Sequence, residues 1–150
     1  MTNPMVNYSA MASEYAKNNF NVRDEYKGLS VKELKDICSV ESYPSAVCTL
    51  NLAGDLNVGT MIRSASLFGI ERFIVYGRRK FDKRSTVGAQ NYIDLDVIDG
   101  LSPDGKEIDY DGFVKYINEN DYIPVFCEQG GLELGKFDWI KDVVPLFLNK

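Results

Sequence analysis

From Ala46 onward, short apolar runs alternate with stretches of helical periodicity, and this alternation limits the folds available to the chain. The runs at 46–50, 72–76, 93–98 and 122–126 are predicted strands, and 57–69 and 110–119 are predicted helices. Strands that alternate with helices are typical of an α/β domain with a mostly parallel sheet and flanking helices. We assign this domain to residues 46–150. Ligands of such sheets bind at the carboxyl ends of the strands.

A helical N-terminal extension is predicted for residues 1–45. Ser30 and Glu33 fit a capping box, in which each side chain bonds to the other residue's backbone N–H. Tyr43–Pro44 marks the boundary, because a residue before proline avoids the helical region. The extension is therefore expected to end where the first strand begins.

Composition excludes several classes of site. The sequence contains no histidine, which removes Ser-His-Asp and Cys-His catalysis and the commonest zinc sites. Its three cysteines are spread along the chain and predict neither a disulfide framework nor a zinc site. No apolar run approaches the roughly 20 residues of a membrane span, and no secretory signal is recognisable. We expect a cytoplasmic protein without membrane partners.

The segment 51–69 combines a strand-to-helix turn with two polar residues that can bind a ligand. Asn57 can cap the helix and still present a polar edge, and Gly59 allows another backbone or a nucleotide to approach closely. Arg63 needs a partner on an otherwise apolar helix, and a phosphate or a carboxylate would serve. The carboxylates of Asp55 and Glu71 are the candidates for a purely structural ion pair.

This segment resembles the first motif of the SpoU/TrmH branch of the SPOUT RNA methyltransferases, Asn-x-Gly-x-x-x-Arg-[Ser/Thr]-Ala-x-x-Phe-Gly. The matching residues are Asn57, Gly59, Arg63, Ser64, Ala65, Phe68 and Gly69. Residues 86–89 (Thr-Val-Gly-Ala) resemble the family's following Ser-x-Gly-Ala segment, and the resemblance covers roughly 46–130. Asp55 departs from the motif, because proline is frequent at that position in the family.

The resemblance implies transfer of a methyl group from S-adenosylmethionine to a ribose 2′-hydroxyl of tRNA or rRNA. It implies catalytic roles for Asn57 and Arg63, and we favour Arg63 as a phosphate clamp that also stabilises the developing alkoxide, because arginine stays protonated. Gly59 and Gly88 would allow close backbone approach. The predicted RNA contacts are Arg78, Arg79, Lys80, Lys83, Arg84 and Thr86, with a solvated loop as the alternative reading of the basic cluster.

The family's second and third motifs, a Gly-Asn/Ser-Glu-x-x-Gly loop and a Ser-Leu-Asn segment, are not found in the sequence. We therefore expect an incomplete, unknotted SPOUT-like domain that is inactive alone and lacks a complete S-adenosylmethionine site. A homodimer is expected where the full domain is present. Two alternatives stay open: a noncatalytic RNA-binding module, and an interaction protein that pairs through the apolar segment 139–147.

Overall fold

The computed structural model describes residues 24–53, 56–127, 130–137 and 145–149. Its α-helices in these ranges are Val31–Glu41 (α1), Leu56–Leu67 (α2) and Tyr110–Glu119 (α3). The strands are Tyr43–Asn51 (β1), Ile70–Gly77 (β2), Asp94–Asp99 (β3), Ile123–Phe126 (β4) and Pro145–Asn149 (β5). Short 3-10 helices lie at Asp24–Tyr26, Lys83–Thr86, Ala89–Asn91 and Leu134–Lys136. Within these ranges, no helix combines the length and the apolar character needed to cross a membrane.

The five strands form one parallel sheet in the order β3-β2-β1-β5-β4. This confirms the predicted α/β class with a parallel sheet. The strand β5 was not among the predicted strands and lies partly in the apolar segment 139–147. Pro145 begins β5, which is possible because the first residue of a strand can lack a backbone N–H. β5 pairs with β1 on one side and β4 on the other.

Helices pack on both faces of the sheet because successive residues of β2 point in opposite directions. Phe73 and Val75 face α2, where Val58, Ile62 and Ala65 complete a buried cluster. Ile74 and Tyr76 face α3 and pack against Phe113 and Ile117. The β1–α2–β2 and β3–α3–β4 crossovers therefore cover opposite faces, and the carboxyl ends of β1, β2 and β3 share one edge.

The capping box of α1 is confirmed. Glu33 N donates to Ser30 Oγ over 3.3 Å, and Ser30 N donates to Glu33 Oε2 over 2.8 Å. β1 begins at Tyr43, so the last three residues of the predicted extension, 43–45, belong to the sheet. Residues 1–23 of that extension lie outside the described residues.

The carboxyl end of α2 exposes two large apolar side chains. Leu67 and Phe68 are each 77% exposed. Helical geometry explains the exposure of Leu67, because this residue lies about 180° around the axis from Val58, which is buried. Gly69, with φ 69°, ends the helix as predicted.

Candidate nucleic-acid interface

Asn51 holds the loop that follows β2 against the end of β1. Its backbone carbonyl accepts from Arg78 N over 2.6 Å. Its side-chain Nδ2 donates to the carbonyls of Arg78 and Lys80 over 2.6 and 3.4 Å. The sequence reasoning gave Asn51 no role, although a polar residue at the end of an apolar strand was an available signal.

Gly77 lies opposite Asn51 in the register of β1 and β2. Its φ is 115°, a left-handed value that glycine adopts readily. A Cβ at this position would lie 2.5 Å from the Asn51 carbonyl oxygen and 2.7 Å from Ile108 Cδ1. Asn51 and Gly77 together allow the chain to turn out of the sheet into the basic segment, residues 78–86, and sequence reasoning missed both.

The basic segment forms an open groove at the carboxyl edge of the sheet. Phe81 is buried in the core on the α2 side and anchors the segment. The side chains of four cationic residues are exposed and make no ion pair or hydrogen bond within the described part of the chain: Arg78, Arg79, Lys80 and Lys83. The groove has a volume of about 790 Å³ and is lined by Ala53, these four residues, Phe81, Asp82 and Arg84.

Arg84, the fifth cationic residue predicted to contact RNA, forms an ion pair with Asp82. Arg84 Nε donates to both carboxylate oxygens of Asp82 over 2.9 and 3.0 Å, and Arg84 N donates to Asp82 Oδ1 over 2.9 Å. The hydrogen bonds from the Arg84 side chain and then from its backbone lower the pKa of Asp82 to about 2. An RNA contact by Arg84 would therefore compete with this ion pair.

Thr86, a predicted RNA contact, is completely buried in this conformation. Its hydroxyl lies 2.8 Å from the carbonyl oxygen of Lys83 and also contacts Gln90 Oε1. Threonine here closes the Lys83–Thr86 3-10 helix, so it stabilises the loop from inside.

The two glycines predicted to allow close approach differ. A Cβ at Gly59 would overlap the Ser85 hydroxyl and lie 3.0 Å from Thr86 N, so the Lys83–Thr86 turn is what approaches Gly59. At Gly88 a Cβ would meet no atom within 4 Å, so close approach of RNA there stays a prediction. The φ of 88° at Gly88 by itself favours glycine.

Asn57 and Arg63 are both exposed on the solvent side of α2. Helical geometry separates them by about 9 Å along the axis and about 120° around it. Arg63 follows Gly59 by one helical turn, on the side of α2 that touches the Lys83–Thr86 turn. No described carboxylate pairs with Arg63; Glu71 does not, and Asp55 lies outside the described residues.

Arg72, in contrast to Arg63, is an arginine whose guanidinium binds other side chains of the fold. Its Nη2 and Nε lie 2.8 and 2.9 Å from Asp94 Oδ2, and its Nη1 donates to the Tyr122 hydroxyl over 3.2 Å. Asp96 Oδ2 is 3.8 Å from Nη1. The sequence reasoning missed this cluster, which joins β2, β3 and the start of β4 at the amino end of the sheet.

The groove does not fit S-adenosylmethionine. The sulfonium group of that molecule is positive, and five cationic side chains line the groove. The described residues also contain no group of carboxylates or cysteines arranged to hold a metal ion. The groove therefore suits a polyanion.

No protein-family model matches the chain, and neither does any curated protein or solved structure. The resemblance to the SpoU/TrmH family therefore stays a prediction that rests on the residues of α2.

Proposed function

We propose that the carboxyl edge of the sheet binds RNA, and that the chain is the RNA-contacting part of a SpoU/TrmH-type ribose 2′-O-methyltransferase. The supporting observation is a set of four exposed cations within six residues that have no side-chain partner among the described residues: Arg78, Arg79, Lys80 and Lys83. Neighbouring like charges repel each other, and a polyanion that replaces their counterions relieves this repulsion.

Lysines elsewhere in the described chain commonly have a carboxylate partner. Lys115 Nζ lies 3.7 Å from Glu119 Oε1, and Lys136 Nζ lies 2.8 Å from Glu133 Oε2. The protein has 22 acidic residues against 17 basic ones, so partners are abundant. A concentration of cations that no described carboxylate pairs with, in an acidic protein, favours a ligand-binding surface over a solvated loop.

Arg63 extends this surface onto α2. Its guanidinium is a forked donor that suits a phosphate next to the target ribose. Because arginine stays protonated, its proposed role is to clamp the phosphate and to stabilise negative charge on the 2′-oxygen. The methyl donor would have to be held outside the groove, so these residues account for positioning RNA. The same observation supports a noncatalytic RNA-binding module.

The test is fluorescence anisotropy with a labelled single-stranded RNA over a series of salt concentrations. The triple variant Arg78→Ala, Arg79→Ala, Lys80→Ala should bind more weakly. The slope of log K against log salt should become shallower by about 2, since each lost phosphate contact on a single strand contributes about 0.7.

The matched control changes the same number of cations away from the groove: Lys27→Ala, Lys32→Ala, Lys115→Ala. We expect its slope to equal that of the wild type. Salt-independent binding by the wild type, or an equal loss in the control, would contradict the proposed function.

A further inference from the structure

Helix α2 carries no carboxylate, although the protein as a whole is acidic. Arg63 is its one charged residue. The exposed face of α2 also presents Leu56, Asn57, Thr60, Ser64 and Leu67, and Phe68 follows directly. The packing of Ser85 against Gly59 places the basic segment beside this face. A polyanion in the groove can therefore continue over α2 without meeting a carboxylate on the helix.

The connection between β3 and α3 is mostly acidic, with Lys106 its one basic residue. The connection from β3 into α3 follows the strand next to β2 and exposes Asp99, Asp104, Glu107, Asp109 and Asp111. Like charges repel phosphates, so this acidic connection directs a bound strand away from α3. The distribution of charge therefore favours a bound strand that runs from the basic segment toward α2.

Leu67 ends α2 and Phe68 follows it, and each of these large apolar side chains is 77% exposed. Such exposure of two large apolar residues is unusual at the end of a helix. Leu67 lies one turn after Arg63, and Phe68 lies one turn after Ser64. Phe68 follows Arg63 by five residues, about 140° around the axis, so its exposed ring can stack on an unpaired base farther along a strand whose phosphate is held by the guanidinium. A base inside a duplex has no free face for such a contact.

We propose that single-stranded RNA runs from the basic segment over the exposed face of α2, with a phosphate on Arg63 and an unpaired base on Phe68. This inference rests on the proposed RNA-binding function. It adds the path of the strand, the requirement for unpaired bases and the contribution of Phe68.

The first test compares Phe68→Ala with Tyr110→Ala, an aromatic residue 53% exposed at the start of α3, on the acidic side. Phe68→Ala should weaken binding of a labelled oligouridine about 10-fold and leave the salt slope unchanged, because stacking releases no counterions. Tyr110→Ala should bind as the wild type does. Neither variant should change the affinity for a duplex of equal length.

The second test locates the strand by photocrosslinking with a 4-thiouridine oligonucleotide, followed by trypsin digestion and mass spectrometry. Crosslinks are expected in peptide 64–72, which contains Phe68, and not in peptide 107–115, which belongs to the acidic side. Crosslinks confined to 107–115 would overturn the proposed path.

The inference also fails if Phe68→Ala binds single strands like the wild type while the triple basic variant loses affinity. In that case the proposed function stands. Absence of salt-dependent binding by the wild type would remove both. If Phe68→Ala changes the mass in light scattering but not the RNA affinity, Phe68 belongs to a protein interface and the inference is overturned.

Discussion

At the scale of single residues, glycine and asparagine determine where the basic segment lies. Gly59 was predictable, because a glycine inside a helix indicates close approach by another group. What approaches it was not predictable, since Ser85 reaches it through a tertiary contact. The burial of Thr86 was also not predictable, because a sequence does not reveal whether a loop hydroxyl faces solvent or its own turn.

Gly59→Ala should destabilise the fold by about 1 to 3 kcal/mol, because the new methyl group would overlap the Ser85 hydroxyl. Urea unfolding measures the change in free energy. Gly135→Ala is the control, since a Cβ there would meet no atom within 4 Å, and it should be nearly neutral. Equal stability of the two variants would show that the contact between α2 and the basic segment is not tight.

At the scale of elements, periodicity predicted most of the fold. The helix expected at 110–119 is the observed α3, and the strand expected at 72–76 lies inside β2. β5 was not predicted because proline usually interrupts a strand. Pro145 is compatible with a strand only because it stands at the first residue, which the sequence does not show. The sheet order was also beyond prediction, since the pairing of β5 with both β1 and β4 is a tertiary property.

The connection between β1 and the basic segment is open to a direct test. Asn51→Ala removes the donor to the carbonyls of Arg78 and Lys80, and should cost about 1 to 3 kcal/mol of stability. Hydrogen exchange should become faster in residues 78–82, as measured by mass spectrometry. Asn91→Ala is the control, because the Asn91 side chain makes no hydrogen bond within the described ranges. Unchanged exchange in Asn51→Ala would refute the anchoring role.

At the scale of the whole molecule, the described sheet is buried at its centre. Cys48 of β1 is completely buried, and burial raises the pKa of its thiol to about 12. Cys127 is exposed, and Cys38 is half-buried. The sequence did not indicate which of the three thiols is buried, because burial depends on packing that a single cysteine in the sequence does not reveal.

Labelling with iodoacetamide at pH 8 should therefore modify Cys127 quickly and Cys48 at least about 1,000-fold more slowly, since Cys48 becomes accessible through global unfolding. Peptide mass spectrometry over time measures both rates. In denaturant the two rates should become similar. Equal rates in the folded protein would mean that the centre of the sheet opens without unfolding.

The position of β5 has a consequence for synthesis on the ribosome. β4 is made before β5, which is its partner in the described sheet, and residues 127–144 separate them. At translation rates of about 5 to 20 residues per second, β4 waits about 1 to 4 seconds for that partner. During this interval β1 and β4 each present an open hydrogen-bonding edge to chaperones or to neighbouring nascent chains. The codons that encode residues 127–144 would therefore determine how long the incomplete sheet exposes these two strand edges.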